Sequence, residues 1–232
     1  VFDNAVKNST AIIVPTKTVG NEVLEKYEVD PKKIFVTYEG VDKKLGTGSP
    51  DNLEKPYFVY IGNAYPHKNL GNLIKAIKIL NTNNVQRVFL VISSSRNIFT
   101  QRIEKQVQEL GAESFVKMPG FVTDEKLGGL FKNSIGFVFP SFSEGFGLPG
   151  LEALSSGTLL LASNIRVFKE VYENHALYFE PGDPASIANT MRMAMSVSDS
   201  DREKKIVSSI QFVKRYSWAK MAEETLKIYE ES

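Results

Sequence analysis

Cysteine is absent from the 232 residues, which excludes disulfides, thiolate metal sites, iron–sulfur ligation and a cysteine nucleophile. Histidine occurs only as His67 and His175, so a three-histidine zinc site is impossible. Neither sign of charge is in surplus. With 28 Lys and Arg against 27 Asp and Glu the net charge is +1, which excludes a strongly basic nucleic-acid binder and an acidic tail protein. Long hydrophobic runs are missing too: the longest, such as those at 88–92 and 158–162, fall far short of the roughly 18 residues that span a bilayer. Residues 1–15 have neither the basic start nor the apolar stretch of a signal peptide. The chain therefore reads as cytoplasmic, a reading compatible with peripheral attachment at the inner face of a membrane. It begins at Val1 rather than Met, so the expectation is that something upstream was removed.

Against these absences stand 42% hydrophobic and 24% charged residues, the balance of an ordinary globular chain long enough for a core without staples. Short, continuously apolar runs at 11–14, 34–37, 57–61, 88–92, 115–117, 135–139, 158–162 and 176–179 predict strands buried on both faces. Between them lie helical patterns at 69–80, 101–110, 124–132 and 151–156; Leu70, Leu73, Ile74, Ile77 and Leu80 show the 3/4 spacing of an amphipathic helix. Such alternation predicts an α/β fold with a doubly wound parallel sheet. Helical patterns at 184–196, 199–216 and 218–230 follow with no further strand, so the chain should end in helices that cap or wrap the sheet. Residues 43–56 contain Gly46, Gly48 and Pro50 with little apolar content and read as a linker. Residues 1–42 hold too few elements for a core of their own and read as the end of another domain. The main domain is expected at 57–216 and a closing helix at 217–232. No repeat or low-complexity segment is evident.

The richest stretch is 135–157, IGFVFPSFSEGFGLPGLEALSSG. A strand, a glycine loop and a helix opening at Pro149 make an anion site, because free backbone N–H groups and the helix dipole face the ligand. Gly145 and Gly147 would let a phosphate approach the backbone. Glu144 lies in the loop and Glu152 early in the helix, where a carboxylate can accept two hydrogen bonds from a ribose diol. The competing readings are a tight turn with no ligand and, for Glu152, a solvated helix residue. Gly145, Gly147 and Gly150 also spell G-x-G-x-x-G, which raises a dinucleotide-binding oxidoreductase as an alternative. That alternative needs an acid at the end of the next strand, and the strand at 158–162 runs instead into Ser163, Asn164 and Ile165. A second loop, Gly62-Asn63-Ala64-Tyr65-Pro66-His67-Lys68, resembles half a P-loop but lacks its G-K-[ST] ending. Lys68 at a helix start can supply a point charge to a phosphate; otherwise it is a solvated surface lysine. Asp199-Ser200-Asp201 has the D-x-D form of metal-dependent sugar transferases, but it opens a charged helix, which points to capping.

FVFPSFSEGFGLPGLEALSSG, followed by LLLASN and VFKEVYENHALYFEPGDPASIA, resembles the donor-binding half of family-4 retaining glycosyltransferases of the GT-B fold, with the E-x7-E signature at Glu144 and Glu152. YFVYIGNAYPHKNLGNLIKAIKIL is similar to the opening of that half, with its basic residue at Lys68. AIIVPTKTVGNEVLEKYEVDPKKIFVTYEGVD resembles the end of the family's N-terminal domain, and the helix from Trp218 its closing element, which crosses back to that domain. The resemblance implies a Rossmann-like GT-B C-terminal domain and a hexosyltransferase of polysaccharide biosynthesis. Glu152 would hold the nucleotide ribose. Glu144 would contact the donor sugar's hydroxyls or the neighbouring phosphate. The amides of Phe146, Gly147 and Leu148, with Lys68, would hold the diphosphate, and Gly145, Gly62 and Asn63 belong to the same donor-binding set. Gly120, Phe121 and Val122 would flank the base. Catalytic roles fall to Glu144 and Lys68.

The implied partners are a nucleotide sugar (GDP-mannose or a UDP-sugar), a glycan or lipid-linked acceptor, and an N-terminal GT-B domain in cis or in trans. No cofactor, metal or nucleic acid is implied, since the nucleotide sugar is a substrate. Asn63 departs from the arginine frequent in the family, Ser93-Ser94-Ser95-Arg96 departs from its usual glycine, and most of the N-terminal domain is missing. A non-catalytic nucleotide-sugar-binding module is the third reading.

Overall fold

The computed structural model describes residues 2–41, 45, 46, 48, 53–82 and 86–231. In chain order the elements are α1 (Phe2–Asn8), β1 (Ile12–Val14), α2 (Lys17–Lys26), β2 (Ile34–Val36), β3 (Tyr57–Ile61), α3 (Leu70–Thr82), β4 (Phe89–Ser93), α4 (Ile98–Glu109), β5 (Val116–Gly120) and α5 (Asp124–Lys132). They continue as β6 (Phe137–Phe139), α6 (Leu148–Ser155), β7 (Leu160–Ser163), α7 (Arg166–Tyr172), β8 (Ala176–Phe179), α8 (Pro184–Met195), α9 (Asp199–Val213) and α10 (Trp218–Glu231). Every strand expected from the apolar runs is present, with ends shifted by up to three residues. The helix expected at 151–156 starts earlier, at Leu148. Helix α7 was not anticipated: in RVFKEVY the apolar positions Val167, Phe168, Val171 and Tyr172 occupy too short a window to establish a helical period.

β1 and β2 form a small parallel sheet of their own, and the other six strands form a parallel sheet in the order β5-β4-β3-β6-β7-β8. Alternation along β3 explains the layering. Phe58 and Tyr60 enter one buried cluster with Leu73, Ile74 and Ile77 of α3 and Ile187 and Met191 of α8. Tyr57 and Val59 enter the other, with Leu130 and Phe131 of α5, Leu151 of α6 and Phe168 of α7. Both faces are therefore covered by helices, which is why β4 is buried at all five positions.

The order reverses beside β3: the chain moves outward to β4 and β5, then returns to place β6 on the other side of β3. The loops after β3 and β6 therefore lie side by side at the carboxyl edge, beside the reversal where open α/β sheets bind ligands. Half of the expected linker at 43–56 falls outside the described residues. Within it, the amides of Gly46 and Gly48 donate to the carbonyls of Asp124 and Glu125 at the start of α5 (2.9 and 3.0 Å). Among the described residues no helix is long and apolar enough to cross a membrane.

Candidate functional site at the sheet's carboxyl edge

The loops flanking the reversal carry the two charged residues singled out above. After β3, Pro66–Lys68 forms a single 3₁₀ turn, with proline at an early position where its fixed φ is favourable. That turn brings Lys68 Nζ to 2.5 Å from Glu144 Oε1, and each side chain is only 13% exposed. Lys68 is therefore not a solvated surface lysine. Ser141, fully buried, donates its hydroxyl to the same Oε1 at 2.7 Å. No hydrogen bond from a described residue reaches Glu144 Oε2.

The loop after β6 ends at Gly147, whose φ of 109° lies in the left-handed region and turns the chain into α6. Tyr172, fully buried on α7, donates its hydroxyl to the Gly147 carbonyl at 2.5 Å. Its ring and hydroxyl also fill the space where side chains at 147 and 150 would sit. Two glycines of the G-x-G-x-x-G pattern are thus explained by packing against a tyrosine. Gly145 differs: it is exposed, and a Cβ there would meet nothing nearer than Pro15 at 3.9 Å. The amides of Phe146, Gly147 and Leu148 donate to no other described residue and stand at the N-terminal end of α6, where the helix dipole favours an anion. The Phe146 ring points inward, against Tyr38 and Tyr216 (centroids 6.3 and 5.7 Å away). Glu152 lies one turn into α6, partly exposed.

Gly62, at φ 139°, ends β3 and donates its amide to the Ser93 carbonyl. The Asn63 carbonyl accepts the Tyr60 hydroxyl at 2.6 Å, and burial, with the charge of Glu144 adding to it, pushes that hydroxyl's pKa up. The carbonyl of Gly120 accepts the Ser93 hydroxyl and the Ser94 amide (3.0 and 3.2 Å). Phe121 beyond it is 69% exposed, whereas Val122 is buried in the core, so only the phenylalanine of that pair presents a side chain outward. Among the described residues no group of three His, Asp or Glu side chains could hold a metal ion. The D-x-D triplet opens α9, where the Ser198 hydroxyl caps the helix by accepting from the Asp201 amide.

Sequence reasoning missed Ser141, Asn69, Tyr172 and Glu170. Glu170 on α7 accepts from the Lys17 and Thr18 amides (2.7 and 2.8 Å), the Thr18 hydroxyl (2.7 Å) and the Tyr38 hydroxyl (3.0 Å), and so closes the N-terminus of α2. Burial alone would raise its carboxyl, but those hydrogen bonds outweigh it and hold the pKa below the ordinary value. Tyr38 is pushed up to about 12, first by burial and then by its bond to Glu170. The only signal in the sequence for any of these was the Asn-Leu junction after Lys68, since asparagine tolerates the left-handed backbone that ends a 3₁₀ turn.

The family model for glycosyl transferases group 1 matches residues 46–211. The O-antigen chain mannosyltransferase RfbU of Salmonella typhimurium is 30% identical over 199 residues, 84% of this chain and 54% of that protein. The O-antigen chain mannosyltransferase B of Escherichia coli is 32% identical over 173 residues, 75% of this chain and 45% of that protein. The chain thus spans about half the length of these curated relatives. A glycosyltransferase from Rickettsia africae superimposes with a TM-score of 0.83 at 19% identity, covering 99% of this chain and 66% of that one. Anabaena HepE, crystallised with UDP and glucose, gives a TM-score of 0.82 at 18% identity over 98% of this chain and 65% of its own. At such identities the structures speak for the fold, a Rossmann-like half of the GT-B architecture, while the family model and the mannosyltransferases speak for descent: the chain belongs to the group 1 glycosyl transferases.

Proposed function

We propose that this chain is the donor-binding half of a retaining, metal-independent hexosyltransferase. The whole protein would transfer a sugar from GDP-mannose or a UDP-sugar to a glycan or lipid-linked acceptor in polysaccharide biosynthesis. The observation that carries the reading is the Lys68–Glu144 pair at the reversal point of the sheet, beside the free amides at the start of α6. The mannosyltransferase names of the relatives support a mannose-type donor, and the UDP in the HepE complex supports a nucleoside diphosphate as the held group.

In this reading Glu152 accepts the ribose hydroxyls and Gly120–Phe121 flank the base. The amides of Phe146, Gly147 and Leu148, with Lys68, hold the diphosphate. As the glycosidic bond breaks, negative charge grows on the departing diphosphate, and donors already fixed in place stabilise it without reorganising. Glu144 Oε2, with no donor among the described residues, takes sugar hydroxyls. The acceptor attacks from the face the leaving group vacates, which gives retention without a protein nucleophile. Residues 1–42 are the end of an N-terminal GT-B domain, present in cis or as a separate chain. Residues 43–56 link it to the donor domain at 57–216, and the helix at 217–232 crosses back to it.

Calorimetry of this chain with UDP, GDP and NADH tests the proposal. Either nucleoside diphosphate should bind and NADH should not. Glu152→Ala should weaken binding roughly 10- to 150-fold, the worth of a hydrogen bond to an ionised acceptor, and much less for the 2′,3′-dideoxy nucleotide. Equal losses for ribose and dideoxyribose ligands would reassign Glu152 to the helix surface, and selective NADH binding would favour the oxidoreductase alternative.

A further inference from the structure

Asn69 follows Lys68 directly, is 6% exposed and stands in the left-handed backbone region at φ 58°, ψ 32°. Its Nδ2 donates to the Pro140 carbonyl at 2.9 Å and to the Pro181 carbonyl at 2.7 Å. An amide nitrogen carries two hydrogens, so both bonds form at once. Pro140 lies in the loop after β6, one residue before Ser141 and four before Glu144; Pro181 lies in the loop after β8. Asn72, on the first turn of α3, adds a longer bond to the Pro181 carbonyl at 3.2 Å. The Phe142 amide returns to the His67 carbonyl at 2.8 Å, a backbone tie between the loops after β3 and β6 beside the clamp.

We infer that Asn69 is a positioning residue: its buried amide holds the loops after β6 and β8 against the loop after β3, and thereby sets Lys68 at ion-pair distance from Glu144. Beside the backbone bond between Phe142 and His67, one side chain joins the two halves of the ion pair. Lys68 is its chain neighbour, and the strand end that leads to Ser141 and Glu144 is its hydrogen-bond partner. No other described side chain donates to the carbonyls of two of these loops. The inference rests on the proposed role of Lys68 toward the diphosphate, and it places Asn69 outside contact with the substrate.

Asn69→Gly is the informative variant, because glycine keeps the left-handed backbone while removing the clamp. Calorimetry with UDP and GDP, and with uridine and guanosine as phosphate-free controls, separates positioning from general damage. Asn69→Gly should lower diphosphate affinity about 10-fold, the scale of removing one charge-assisted hydrogen bond, and leave nucleoside affinity within about 2-fold. On a Lys68→Ala background the same change should cost less than about 2-fold, because residues acting through one another are not additive. Asn69→Asp, also tolerant of this backbone but without the donors, should show the same selectivity.

Equal losses for nucleosides and diphosphates, or an undiminished loss on the Lys68→Ala background, would overturn the inference. A wild-type chain that bound no nucleotide would sink the proposed function instead. A crystal structure of Asn69→Gly then decides the role of Asn69 alone. Lys68 and Glu144 separated beyond the ~4 Å of an ion pair supports it, and a pair still within that distance overturns it.

Discussion

Glu144 and Glu170 are both carboxylates that join distant parts of the chain, yet their two oxygens are used differently. On Glu170, Oε1 accepts from the Lys17 amide and the Tyr38 hydroxyl, and Oε2 accepts from the Thr18 amide and hydroxyl. On Glu144, Lys68 and Ser141 both converge on Oε1, and Oε2 receives no hydrogen bond from the described residues. A carboxylate that holds structure together has every acceptor matched, because an unmatched buried acceptor costs stability. One that keeps a matched and an unmatched oxygen, at 13% exposure, is placed to receive a donor from elsewhere. The junction of α2 with α7 is saturated and structural. The loop junction at the reversal of the sheet leaves Glu144 Oε2 unmatched among the described residues, as the proposed binding role requires.

The sharpest way to break this contrast is to neutralise each carboxylate. Glu144→Gln preserves size but replaces the acceptor charge; in the whole protein it should cost roughly 10²- to 10³-fold in sugar transfer, the scale of removing one preorganised electrostatic interaction. Its melting temperature should fall only modestly, because the glutamine Oε1 still accepts from Lys68 and Ser141 although the charge pairing is lost. Steady-state assays beside thermal denaturation would check both halves, and a variant that unfolds readily while keeping its turnover would invert the assignment.

Glu170→Ala should do the opposite. It strips partners from the first two amides of α2 and from Tyr38, so urea denaturation should register a loss of about 2–3 kcal/mol. Nucleotide affinity measured on the folded fraction should stay unchanged. A stability loss under ~0.5 kcal/mol, typical of an ordinary surface change, would mean that those four hydrogen bonds are exchanged with water at no cost.

A gentler break uses acid. The Glu170 pKa is held below its ordinary 4.5 in the folded state, so the folded chain resists protonation more than the unfolded one. The stability this supplies is fully present above the ordinary value and is lost as pH falls from there through the folded pKa. Urea midpoints of wild type should therefore decline over that range more steeply than those of Glu170→Gln. Parallel curves for the two proteins would remove Glu170 from the acid response.

Much of this was legible in the linear sequence. Apolar runs such as YFVYI announce strands because a parallel sheet covered on both faces leaves no polar alternation to read. Lys68, Glu144 and Glu152 were legible because loops at strand ends and helix starts advertise charged residues among glycines. The partner of each was not. Ser141 reads as one serine among several, and only the turn after Pro140 aims its hydroxyl at Glu144. Tyr172 is fully buried core, yet its ring and hydroxyl also occupy the space that side chains at 147 and 150 would need. Glu170 lies 153 positions from Lys17, a pairing that no local spacing encodes.

Ser141→Ala gives the smallest effect and probes the contrast most finely. The hydroxyl is buried and donates a single 2.7 Å bond to Glu144 Oε1, beside the ion pair with Lys68. Removing it leaves the charge, the lysine and Oε2 in place but frees the carboxylate to rotate, so the expectation is a loss of about 3- to 10-fold in donor affinity, the worth of roughly one net hydrogen bond. Because the alanine methyl fits where the serine stood, stability should change by less than about 1 kcal/mol. Ser141→Thr keeps the donor and should recover most of the affinity if the added methyl is accommodated. In a Glu144→Ala background, which removes the acceptor, Ser141→Ala should cost nothing further, since the serine acts through that carboxylate. An undiminished loss there would show that the hydroxyl serves something other than Glu144, and the picture of one oxygen held for structure and one kept free for the donor would no longer stand.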